Sequence, residues 1–156
     1  MENQFEMDLQ EVISKLTSKD DKMACAFADK IVFESLQSNK WYKYFDDVAF
    51  LLNHPKSLVR NRVLCILAAN IQWDVKNSFD SILTDFLSHI TDEKPITARQ
   101  CIKALVQVGK AKKMYIPKII EKLKNADLSK YKESMRPLIE KDIKETLRSL
   151  EACENE

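Results

Sequence analysis

Three arginines recur at nearly constant spacing in this 156-residue chain: Arg60, Arg99 and Arg136, 39 and 37 residues apart. Each follows an apolar residue, as Val59-Arg60, Ala98-Arg99 and Met135-Arg136. A guanidinium is a planar fork of N–H donors that matches carboxylates and phosphates, so a row of them suits the capture of anionic groups. Gln100 and Lys103 stand beside Arg99 and extend that chemistry. The candidate contact residues are therefore Arg60, Arg99, Gln100, Lys103 and Arg136. A second reading competes with this one. Each arginine lies at the edge of an apolar stripe, where its stem can cover the core and its head can pair with a carboxylate or loop carbonyl of a neighbouring segment.

Other chemistry finds little material. The two histidines, His54 and His89, have no metal-ligand spacing to each other or to a cysteine. One glycine rules out a glycine-rich phosphate loop. No Ser or Cys stands in a nucleophile motif. Cys25, Cys65 and Cys101 sit in apolar helical stretches and Cys153 near the end, none in a C-x-x-C pair, which reads as buried thiols. The expectation is a protein with no catalytic residues, no metal and no cofactor, working by binding.

The charge is uneven. Residues 1–93 carry 10 basic and 15 acidic side chains, whereas residues 94–150 carry 15 basic and 6 acidic. Arg99, Lys103 and Lys110, followed by Lys112, Lys113, Lys118, Lys122 and Lys124, form the best candidate basic surface. It fits a protein or peptide partner, in particular an acidic one. Nucleic acid is the alternative, although no aromatic residues alternate with these bases as single-strand binding prefers. Trp41, Tyr42, Tyr44, Phe45 and Trp73 read as packing between helices.

These residues must be positioned by helices. One glycine and four prolines supply too few turns for a β fold. No apolar run approaches the length of a membrane span, and the acidic start, MENQFEMDLQEV, lacks the basic and apolar blocks of a secretory leader, so a cytoplasmic protein is expected. LLNHPKSLVRNRVLCILAAN, HITDEKPITARQCIKALVQVG and LKNADLSKYKESMRPLIEKDI share one plan: a helix end, a polar loop, then a second helix opened by an apolar residue and arginine. Val59, Val63, Ile66 and Leu67 fall on one helical face, as do Ala98, Ile102, Leu105 and Val106. Met135, Ile139 and Ile143 repeat the stripe, but Asp142 breaks it. A degenerate first unit fits helices over about 2–16 and 20–36, with Phe5 on the apolar face of the first. Asp20 and Asp21 suit the start of a helix, Ser57 a cap, Pro95 a first turn and Gly109 a left-handed helix C-terminus. The spacing predicts one all-α domain over 1–156, with four antiparallel helix pairs at about 2–38, 40–71, 75–110 and 112–152.

On LNHPKSLVR, PITARQCIKAL and SMRPLIEKDI the chain resembles the HEAT-repeat family over about residues 40–150. It also looks like short single-domain bacterial HEAT-like proteins of unknown role. Some of those are labelled SufBD-type, after iron–sulfur scaffolds that are β-helical and so a poor guide to this helical chain. The resemblance implies a right-handed α-α superhelix of HEAT or armadillo type, and a scaffold whose concave face binds partners. Some HEAT-like proteins act in DNA alkylation repair, which makes DNA the alternative partner. HEAT repeats often place an Asp six residues before the arginine to build a ladder between units. Here those positions are His54, Glu93 and Lys130. Only Glu93 is acidic, with Asp92 and Asp127 nearby, so a regular ladder is not expected.

Overall fold

The computed structural model describes residues 7–156 and is helical, with no strand among them. The predicted start of the first helix and its Phe5 lie outside the described residues. Eight α-helices follow in order: α1 (Leu9–Leu16), α2 (Asp21–Ser35), α3 (Phe45–Ala49), α4 (Ser57–Asn70), α5 (Leu83–Ser88), α6 (Pro95–Ala111), α7 (Ile116–Lys124) and α8 (Arg136–Glu154). Short 3-10 turns extend or precede α3, α4, α5 and α7. The helices alternate between short and long. The long ones, α2, α4, α6 and α8, lie side by side in chain order, each packed on the next. Among the short ones, α1, α3 and α7 each pack on the long helix that follows, and the turn after α5 packs on α6.

Local sequence explains these boundaries. Asp20 caps α2 by accepting a hydrogen bond from the Met23 N–H at 3.1 Å. Pro95 opens α6, where its missing N–H costs nothing. Ser57 is already inside α4 and caps nothing. The imidazole Nδ1 of His54 instead accepts the Lys56 N–H at 3.0 Å just ahead of that helix. α7 buries Ile116, Ile119 and Leu123, a spacing that puts one apolar stripe against the core. α4 is different. Flanked by α2 and α6, it is buried at ten of its fourteen positions. The continuous core runs from Val12 to Cys153, and Phe79, Phe86, Leu64, Leu67 and Leu105 are wholly enclosed in it. Each such side chain contributes about 1.5–3 kcal/mol by leaving water.

Hydrogen bonds between helix pairs repeat at the period of the sequence. Trp73 Nε1 donates to Ser35 O at 2.7 Å, Tyr115 to Asp80 Oδ1 at 2.5 Å, and Tyr131 to Asp92 O at 2.5 Å. Tyr44 donates to Met7 O, and the Lys112 ammonium to Asp74 O and Asn77 Oδ1. The aromatic cluster is thus spent on the core and the joints. Trp41 is buried edge-on against Phe27, and its indole N–H donates to Glu34 at 2.9 Å.

Gly109 corrects the sequence reading. It lies within α6, not at a left-handed helix end. Its role is close approach, because a Cβ there would fall 2.4 Å from Leu150 Cδ2 of α8 and 3.2 Å from Ile116 Cγ1. Gly109→Ala is expected to lower stability by about 1 kcal/mol. Overpacking beside the enclosed Leu150 costs about 1–3 kcal/mol, and the gain in helix propensity of about 1 kcal/mol offsets only part of it. Urea denaturation followed by circular dichroism checks this; a more stable alanine variant would contradict it.

Candidate functional site

The five predicted residues part company in the structure. Arg60 turns inward and is only 5% exposed. Its Nε and Nη2 make a two-point contact with Asp92, at 3.0 and 2.7 Å, and its Nη1 donates to the carbonyls of His54 and Pro55 at 2.9 and 3.1 Å. Asp92 also accepts from His89 Nδ1 at 2.6 Å and from the Lys94 N–H at 2.9 Å. His89 Nε2 faces Asn53 Oδ1 at 3.0 Å. Arg60 therefore joins the second helix pair to the loop of the third, and its head has no face left for a partner.

Arg99 repeats the joint with a different acceptor. Its Nε and Nη2 donate to Asp142 of α8 at 2.5 and 3.3 Å. Asp142 is 3% exposed, so the break in the last apolar stripe is the buried acceptor for Arg99. Arg136 opens α8, and its Nε is buried without a hydrogen-bond partner among the described residues. A ladder therefore exists. Its acids come from the following helix pair, not from six residues before each arginine, and Glu93 takes no part in it. Arg62 is a third inward arginine, which the sequence reading passed over. It donates to Leu16 O at 2.8 Å and pairs with Asp21 at 3.1 Å, fastening α4 to the turn between α1 and α2. Its only signal is a charge within the apolar run VRNRVLCIL.

The Asp92 carboxyl has a pH consequence. Burial alone would raise its pKa; the hydrogen bonds from His89, Arg60 and the Lys94 N–H, with the Arg60 charge, outweigh burial and hold it well below 3.8. A depressed folded-state pKa means the unfolded chain binds the proton first. The stabilisation is therefore full above 3.8 and is lost as pH falls through that value toward the folded one. The stability gap between the native protein and Asp92→Asn should narrow on acidification below 3.8, measured by urea unfolding across a pH series. A gap that stays constant or widens there would contradict the assignment.

Gln100 and Lys103 remain on the outside. Lys103 is 57% exposed in its side chain and lies 3.9 Å from Asp142, a loose contact. Gln100 reaches over α4, its Oε1 3.6 Å from Cys65 Sγ. Together with α4 and α2 it lines a cavity of 390 Å³. The few positions of α4 that escape full burial, after its first residue, are Leu58, Asn61 and Cys65, at i, i+3 and i+7. They form the cavity floor, and Cys25, Asp29 and Val32 of α2 form its opposite wall. Burial pushes the Cys65 thiol pKa up, with smaller contributions from Asp29 and Cys25. A recess of 710 Å³ on the short-helix side is lined by Asp46, Asp80 and Asp85 with exposed Phe50, and it holds none of the predicted residues.

The predicted basic surface divides. Lys103 and Lys110 lie on α6 in the row of long helices, whereas Lys118 and Lys122 project from α7 among the short ones. Lys112 is held against Asp74 O and Asn77, and Lys118 pairs with Glu121 at 3.3 Å. Among the described residues, no three His, Cys, Asp or Glu side chains gather as metal ligands, and no helix is long and apolar enough to cross a membrane. The chain matches no protein-family model, no curated protein and no solved structure.

Proposed function

We propose that this chain is a HEAT-like right-handed α-α superhelix that binds a protein or peptide on the face of its long helices and carries out no chemistry of its own. The groove over α4 carries the reading. A central helix that is buried almost all round leaves, after its first residue, Leu58, Asn61 and Cys65 open, facing Asp21, Lys22 and Asp29 of α2 and the uncharged Gln100 of α6. An apolar floor with a few convergent polar groups is what ligand and peptide sites share. The ordered row of long helices and the repeated joints between pairs support the superhelical reading. Gln100 and Lys103 are the contact residues, with the outer edge of Arg99; Arg60 belongs to a joint between helix pairs.

The test is a pull-down with the tagged native protein and with Lys103→Glu. Loss of the captured partner with helical circular dichroism and thermal midpoint unchanged is the expected result. Full retention by Lys103→Glu would contradict the assigned face. DNA binding by the basic half is the competing function. The lysines stand on helices of two rows, long and short, so no low-salt gel shift is expected. A shift that fades steeply with salt, as released counterions dictate, would favour DNA instead.

A further inference from the structure

We propose that the groove takes an amphipathic helix of a protein partner, with a basic residue on its flank toward α2. This rests on the docking role proposed above. The walls are helix surfaces whose backbone groups are already paired, so an extended peptide would gain no main-chain hydrogen bonds there. A helix satisfies its own backbone and needs only a place for its apolar stripe. The 390 Å³ cavity over Leu58 and Cys65 has room for about two or three aliphatic side chains, the anchors that one helix face presents.

The charge on the α2 wall sets one flank of the occupant. Asp21 on α2 is already held by Lys56 at 2.6 Å and by Arg62 at 3.1 Å. Asp29, two turns further along, has only the Cys25 thiol beside it, at 3.8 Å, and no ion pair among the described residues. It therefore invites a base. The α6 side of the lining is the uncharged Gln100, which sets no charge on the other flank. Lys22 lies about 10 Å before Asp29 along the same wall, by helix rise. It repels a base placed at its own level and so sets the register. A uniformly acidic partner would meet Asp29 unfavourably.

A phage-displayed random peptide library, selected on the immobilised full chain, tests this. Enriched peptides should combine an apolar i, i+3, i+4 stripe with a base on one flank. The best of them should lose about tenfold in affinity with Asp29→Lys. Bound peptide should also slow maleimide labelling of Cys25, the exposed thiol on the α2 wall. Peptides that protect Cys25 but are purely acidic, or that ignore Asp29→Lys, would overturn the occupant and leave the docking role standing. No enrichment, or enriched peptides that leave Cys25 labelling unchanged, would overturn both.

Discussion

Asp92→Ala should destabilise the protein by about 3–5 kcal/mol, the cost of leaving a buried charge without its partner. The substitution removes both contacts to the Arg60 guanidinium, the acceptor for His89 Nδ1 and the acceptor for the Lys94 N–H. Arg60 keeps two carbonyl contacts but no counter-charge among these groups, and it is 5% exposed, so water cannot replace the carboxylate. A domain of this size has about 5–15 kcal/mol in total. The variant should therefore unfold at a markedly lower urea concentration and melt roughly 10 °C lower. Replacing Asp92 by alanine with a change under about 1 kcal/mol would mean that the joint does not hold the second and third helix pairs together.

Arg99→Glu should destabilise by about 2–4 kcal/mol, whereas Lys103→Glu, one turn away, should change stability by less than about 0.5 kcal/mol. The asymmetry follows from burial. Arg99 is the two-point partner of Asp142, which is 3% exposed, and a glutamate there would set two carboxylates together with one of them shut away from water. Lys103 is mostly in solvent and contacts Asp142 only at 3.9 Å. Arg99→Glu therefore cannot separate binding from folding, while Lys103→Glu can. Urea unfolding of both variants by circular dichroism checks this. Equal effects would return Arg99 to the set of freely presented contact residues.

Much of the fold is legible in the sequence because it is periodic. The spacing of Arg60, Arg99 and Arg136 locates the long helices, and Pro95 and Asp20 mark two of their starts. What the sequence hides is non-local. The acceptor of Arg60 lies 32 residues on and that of Arg99 lies 43 on. No rule about the residue six places earlier could find either. Asp142 looks like a defect in an apolar stripe until α6 is seen beside it. Gly109 looks like a helix stop because glycine often is one, and only the approach of Leu150 gives its real reason. The groove is still less legible. Leu58, Asn61 and Cys65 are unlike in character, and only the near-total burial of the rest of α4 singles them out. Lysines close in sequence at the end of α6 and in α7 read as one surface, but they stand on helices of different rows, one long and one short.

The most direct test of the claim that Arg60 and Arg99 are joints is a double-mutant cycle on Arg60 and Asp92. Stability would be measured by urea unfolding for the native protein, Arg60→Leu, Asp92→Leu and the variant carrying both. A coupling of about 2 kcal/mol or more, with the double variant far more stable than the sum of the single losses implies, is the predicted result. Additive losses, or a coupling within a few tenths of a kcal/mol of zero, would contradict it.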